Sequence, residues 1–214
     1  MEISLLIIFW YGILHAFGPD HLTAIADFSI GKDSKKTMLI TVLFAIGHGI
    51  SLFVFAKILQ SFHISEEILS YGDMISATVI LAMGIYLLYI ATTDRIQLRV
   101  HSHNGKEHIH IWFGKEHTHD DTIAKSSSFT MGLLMGAGGV RGMLVTLGAV
   151  GSGNVNLTMV FAFTLGVMLI FIGFGVILAY MNKNILNNKR NLKRAFSVAG
   201  VVSLIVGLDF LIGG

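Results

Sequence analysis

His15, Asp20 and His21 fall within one short motif, His15-Ala-Phe-Gly-Pro-Asp20-His21, and a further imidazole, His48, stands between Gly47 and Gly49. Neutral imidazole suits nickel, cobalt, zinc and copper, whereas magnesium and calcium prefer sites made only of oxygen. A carboxylate beside such histidines either binds the ion itself or accepts the N–H of a ligating ring and so fixes its tautomer. The motif lies in a stretch that otherwise reads as membrane-embedded, where each ionisable group costs about 3 kcal/mol or more. A buried polar network that merely ties helices together explains a lone His48 well. It explains three ligand-type side chains in one motif poorly.

On a straight helix His15 and His21 do not converge, because six positions leave them about 120° apart around the axis. The single proline of the chain, Pro19, changes this. It cannot donate to the carbonyl of His15, four residues back, and its ring clashes with that carbonyl. Gly18 beside it eases the break. Broken helix at membrane depth is tolerated where it is packed in protein or lines a cavity, so the break is expected to turn His15, Asp20 and His21 toward a common point.

The elements that must position these residues are membrane spans. The chain of 214 residues is 53% hydrophobic and 13% charged, with mean hydropathy +0.71, about half the charge of an ordinary soluble domain. Apolar windows long enough to cross about 30 Å of hydrocarbon fall near 3–30, 37–61, 70–92, 129–151, 156–181 and 194–213. Of the 15 basic residues, all but Lys57 and Arg141 lie in the three loops after the first, third and fifth windows. The positive-inside rule then places those loops in the cytoplasm and both termini outside. His15 and His48 come to similar depths, roughly 18 and 16 Å along their spans.

The expected fold is therefore an all-α integral membrane protein of six transmembrane helices, the first broken at Gly18-Pro19. Residues 1–92 form one three-helix half, 93–128 a His-rich cytoplasmic loop, and 129–214 the second half. Phe17-Gly18-Pro19-Asp20-His21 in span one faces Gly138-Gly139-Val140-Arg141-Gly142 in span four as a weak repeat, and three spans per half would make it a 3+3 inverted repeat. Arg141 lies mid-span and calls for a counter-charge, with Asp20 or Asp27 as the structural ion-pair partner. Near their span ends, Asp27, Asp73 and Asp209 suit snorkelling or capping. The N-terminus lacks the basic region of a cleavable signal peptide. A net charge of +2 and no cysteine leave no case for nucleic-acid binding, disulfides or thiolate metal sites. No further acid/base pair points to an enzyme, and no resident cofactor is expected.

Six of the ten histidines lie in the middle loop as His-x-His pairs: His101/His103, His108/His110 and His117/His119. Asn104-Gly105 between alternating residues is a strong hairpin signal. It pairs His103 with Lys106 and His101 with His108. A second turn at Phe113-Gly114 would pair His110 with His117 and His108 with His119. All six imidazoles then share one face of a meander, with Leu98, Val100, Ile109 and Ile111 opposite, because side chains alternate with period two. A disordered His-rich linker is the alternative, and either form binds metal. A cytoplasmic loop of this kind can buffer, sense or deliver an ion to a cytoplasmic acceptor.

The motif His15-Ala-Phe-Gly-Pro-Asp20-His21-Leu resembles the His-x4-Asp-His signature of the nickel/cobalt transporter family, and Phe44-Ala-Ile-Gly-His48-Gly resembles the glycine-histidine motif of its next span. Six spans and a His-rich middle loop look like the shorter NicO/UreH-type branch. The specific match covers about residues 11–55. The resemblance implies a cell-membrane permease for nickel or cobalt in which His15, Asp20, His21 and His48 are essential; nickel is expected first and cobalt second, and the imidazole donors also admit zinc. Many members of that branch carry a Pro-Cys pair in span four, where this chain has Val140-Arg141-Gly142. The second functional reading is a non-transporting membrane sensor or metal donor that acts through the loop.

Overall fold

Gly18-Pro19 does end the first helix. The computed structural model describes residues 2–61, 66–93, 96–103, 106–113, 121–150 and 157–213. Among them are α1 (Glu2–Ala16), α2 (Pro19–Ser29), α3 (Ser34–Ser61), α4 (Glu66–Thr92), β1 (Ile96–His103), β2 (Lys106–Phe113), α5 (Asp121–Val150), α6 (Leu157–Asn184) and α7 (Lys189–Gly213). Pro19 takes the first position of α2, where its missing N–H costs nothing and its fixed φ suits the helix. The last turn of α1 tightens, with Gly18 N–H donating to the His15 carbonyl at 2.9 Å. The two helices meet at a 57° bend.

Among the described residues four helices, over Ser34–Ile58, Met74–Thr92, Leu157–Asn184 and Lys189–Ile212, are long and apolar enough to cross a membrane, and α1 with α2 makes a fifth if the bent pair is one span. The apolar helices fit a bilayer: Trp10, Phe161, Tyr180, Val198 and Ile205 are all exposed, and water-facing domains rarely expose large apolar patches.

The main helix pairings are α1 with α6, α3 with both α5 and α6, and α4 with α7. Close approach explains them. A Cβ on Gly12 would run into the Phe163 carbonyl, one on Gly166 into the Phe9 carbonyl, one on Gly47 into the Phe129 carbonyl and one on Gly132 into the Phe44 carbonyl. Small residues are what let backbones meet in a membrane, where lipid removes the hydrophobic drive for helix association. The core then fills with Ile8, Phe44, Leu52, Met135, Phe163 and Phe171, all buried.

The turn between α2 and α3 is held by a polar clasp. Gly31, at φ 78°, donates its N–H to Asn182 Oδ1 at 3.0 Å. Asn182 Nδ2 donates to the Ser29 carbonyl at 2.7 Å and to Thr37 Oγ1 at 3.0 Å. One amide at the end of α6 thus fixes the polar backbone where the broken span turns into α3.

β1 and β2 pair antiparallel with the expected register, His103 opposite Lys106 and His101 opposite His108. Leu98 pairs with Ile111 and Val100 with Ile109. The alternation of a strand therefore puts His101, His103, His108 and His110 at positions of one face and these apolar residues at positions of the other. The same register sets His110 opposite Arg99 on the β1 side. Among the described residues only His101 and His108 oppose one another. His117, which was to pair with His110, lies outside the described residues, as do His119 and the second turn.

Candidate metal centre

Three helices deliver one imidazole each. His15 comes from the last turn of α1, His21 from the first turn of α2 and His48 from the middle of α3. Ring centroids lie 4.8 Å apart for His15–His21, 4.8 Å for His21–His48 and 5.9 Å for His15–His48. Each ring offers a nitrogen, and these atoms all lie within 4.8 Å of one another. His21 and His48 are buried, and His15 is half-buried. The bend does what the spacing required: residues that a straight helix would send to different faces meet at one point.

The nitrogens are unsatisfied. Nε2 of His15, Nε2 of His21 and both ring nitrogens of His48 are buried without a hydrogen-bond partner among the described residues. A buried polar atom left unpaired costs about 1–3 kcal/mol, and an orphan of this kind calls for a specific explanation. A simple tie between helices would have paired these atoms with one another. A tetrahedral ion with bonds of about 2.1 Å holds its nitrogen ligands about 3.4 Å apart. Drawing the nitrogens together by up to about 1.4 Å would supply three of the four corners of such a site.

Asp20 stands behind His21. Its Oδ1 accepts from His21 Nδ1 at 2.7 Å, which leaves Nε2 of His21 as the lone-pair nitrogen facing the other rings. This is the carboxylate–histidine arrangement that orients a ligating ring. Asp20 also sits in the first turn of α2, where the helix dipole favours negative charge. Gly18 leaves space for the pair, since a Cβ there would come 2.5 Å from Asp20 Oδ1 and 3.0 Å from His21 Nδ1. Arg141 belongs to α5, and its side chain lies outside the described residues. Asp27 meets α7, its Oδ2 accepting from Ser203 Oγ at 2.8 Å.

Aromatic rings close the centre. Phe163 packs 5.3 Å from His15, Phe171 lies 5.6 Å from His21 and 5.4 Å from His48, and Phe44 stacks on His48 at 6.2 Å between centroids. Gly139 of α5 forms the remaining wall: a Cβ there would meet His15 Nε2 at 2.9 Å and His48 Cε1 at 3.7 Å. Sequence reading found the three histidines and Asp20. It did not find Phe163, Phe171 or the wall made by Gly139, whose only signal was its place in the Gly138–Gly142 run opposite the first motif. The ribbon histidines His101, His103, His108 and His110 belong to β1 and β2, and none of them joins the three-histidine group.

A scan against protein-family models found no match, and neither curated proteins nor solved structures matched the chain.

Proposed function

We propose that the protein moves a divalent transition-metal ion across a membrane, nickel first and cobalt second, through the centre formed by His15, His21 and His48. One observation carries the reading: three imidazoles converge, each with a buried nitrogen that has no partner among the described residues, inside a bundle whose helices expose apolar side chains. An all-nitrogen donor set selects a borderline transition metal over magnesium or calcium. Asp20 acts behind His21 as its orienter.

In this reading the chain has six spans, α5 being the sixth, with its termini outside and the His-rich ribbon in the cytoplasm of a cell-membrane permease. The helix pairings support a 3+3 inverted repeat. Exchanging α1–α2 with α5, α3 with α6 and α4 with α7 converts the α1–α6 pairing into α5–α3 and returns α4–α7 and α3–α6 to themselves. Inverted-repeat transporters hold their substrate where the repeats meet, beside a discontinuous helix. The break at Gly18-Pro19 and the wall at Gly139 stand at that position. The ribbon, with His101 opposite His108, serves as an accessory site that collects or hands on the ion.

The test is nickel flux into proteoliposomes holding the full chain. Flux that falls at least tenfold in both His15→Ala and His48→Ala, on the order expected for lost metal ligands, supports the assignment; flux unchanged in both overturns it. Removing residues 101–119 separates the sensor or donor reading, since a transporter keeps flux through its spans.

A further inference from the structure

Asp27 lies six residues beyond His21 on α2, about 9 Å along the axis, and the metal centre makes no use of it. It is only 7% exposed, and the Ser203 partner on α7 is fully buried. Ser203 Oγ stands 2.8 Å from Asp27 Oδ2 and also 2.8 Å from the Ala199 carbonyl. Among the described residues Asp27 Oδ1 has no hydrogen-bond partner.

A serine hydroxyl has one proton to give. If Asp27 is ionised, Ser203 spends that proton on the carboxylate and leaves the Ala199 carbonyl contact empty. If Asp27 carries a proton, the carboxyl donates to Ser203 Oγ, and Ser203 donates onward to Ala199. Both distances are then used. The pair can therefore hold a proton or release it by turning one hydroxyl, without moving a helix. An ionisable side chain inside a membrane bundle commonly marks such a proton relay.

No described group other than Ser203 reaches the Asp27 carboxylate. On its own helix the ionisable neighbours are Asp20 and His21, which bond each other. Of the elements packed on α2, α3 carries Lys35, Lys36, His48 and Lys57, α4 the exposed Tyr71, Tyr86 and Tyr89 together with Glu66, Glu67 and Asp73, α6 Tyr180 and Lys183, and α7 Lys189, Arg190, Lys193, Arg194 and Asp209; none of those described bonds the Asp27 carboxylate. On α5 Arg141 lies outside the described side chains.

We propose that Asp27, with Ser203, is a proton-binding site that exchanges its proton as an ion binds to or leaves the three-histidine centre. The proposal rests on the transport reading. Proton release leaves a carboxylate whose negative charge attracts the cation through a poorly screened interior; proton uptake removes that charge and favours departure. For each ion bound Asp27 gives one proton to water, and it takes one back from water when the ion departs; nothing is oxidised or reduced.

The experiment uses the full chain in proteoliposomes with nickel, comparing accumulation driven by an imposed proton gradient with nickel exchange at equilibrium, alongside infrared spectra of the carboxyl region. In the wild type both fluxes occur, and a protonated-carboxyl band disappears on adding nickel. Asp27→Asn, which keeps the shape of the protonated group, retains exchange within about twofold, loses gradient-driven accumulation at least tenfold and lacks the band, as expected for a proton relay. Ser203→Ala shifts the band without abolishing it. Gradient-driven accumulation by Asp27→Asn equal to wild type overturns the proposal. If the wild type moves no nickel in either mode, the transport reading fails; a nickel-sensitive band absent in Asp27→Asn then still upholds the proton site, and no such band overturns it too.

Discussion

Replacing Asp20 with asparagine tests what the carboxylate does. Asp20 Oδ1 accepts from His21 Nδ1 at 2.7 Å in a buried setting, a hydrogen bond to a charged acceptor worth about 1.5–3 kcal/mol, against about 0.5–1.5 for a neutral one. Asparagine keeps the size and can still accept through its carbonyl oxygen, so the loss is the difference, about 1–1.5 kcal/mol. That converts to a fall in nickel affinity of roughly 5–15-fold. Asp20→Ala also frees the ring to turn, and its loss belongs toward the upper end of the roughly 10–100-fold range seen when an outer partner of a metal ligand is removed. His21→Ala deletes a donor and costs more than either. The assay is calorimetric nickel binding to the purified full chain, with thermal unfolding followed alongside to confirm an intact fold. Loss of binding in Asp20→Asn as complete as in His21→Ala would show that Asp20 binds the ion directly. Unchanged affinity would show that the hydrogen bond has no part in the site. Either result refutes the reasoning.

Three further substitutions separate packing from chemistry. Gly139→Ala places a methyl 2.9 Å from His15 Nε2, at the mobile end of a side chain, so the fold is expected to survive while nickel affinity drops about tenfold or more, as for a ring displaced from a metal; affinity within about twofold of wild type contradicts the wall at Gly139. Gly132→Ala drives its methyl into the Phe44 backbone carbonyl, which cannot turn aside, and is expected to destabilise the α3–α5 pair by about 1–3 kcal/mol. Its control, Gly173→Ala, meets nothing within 4 Å and should leave the melting temperature unmoved. Asn182→Ala removes all three bonds of the clasp and leaves buried backbone groups unpaired, with an expected loss of about 1–3 kcal/mol and faster hydrogen exchange confined to residues 29–37; exchange unchanged there would contradict the clasp.

Much of the centre was legible because its signals are local. Pro19 removes a backbone donor wherever it stands inside a helix, so the break followed from one residue and its distance to His15. Depth in a span follows from counting residues, which matched His15 with His48 before any contact was known. The ribbon register was equally local, fixed by Asn104-Gly105 between alternating positions, and the same register sets His110 against Arg99. The pairings that escaped were long-range. Asn182 reaches Ser29 across 153 positions and Ser203 reaches Asp27 across 176, and no periodicity in either segment announces its partner. Asp27 read as a residue near a span end with a snorkelling role. The structure buries it against α7 instead. Phe163 and Phe171 are two among 15 phenylalanines, and only the packing of α6 distinguishes those that face histidine from those that face lipid. Asp20 had two readings, partner of an ion or of Arg141, because sequence gives adjacency to His21 without the direction of the bond.

The most direct measurement of the central claim is anomalous scattering from crystals of the full chain soaked in nickel. The account predicts one peak among His15 Nε2, His21 Nε2 and a ring nitrogen of His48, with Asp20 on His21 Nδ1 and outside bonding distance of the ion. Nickel peaks at the ribbon histidines alone, with none between α1, α2 and α3, would contradict it.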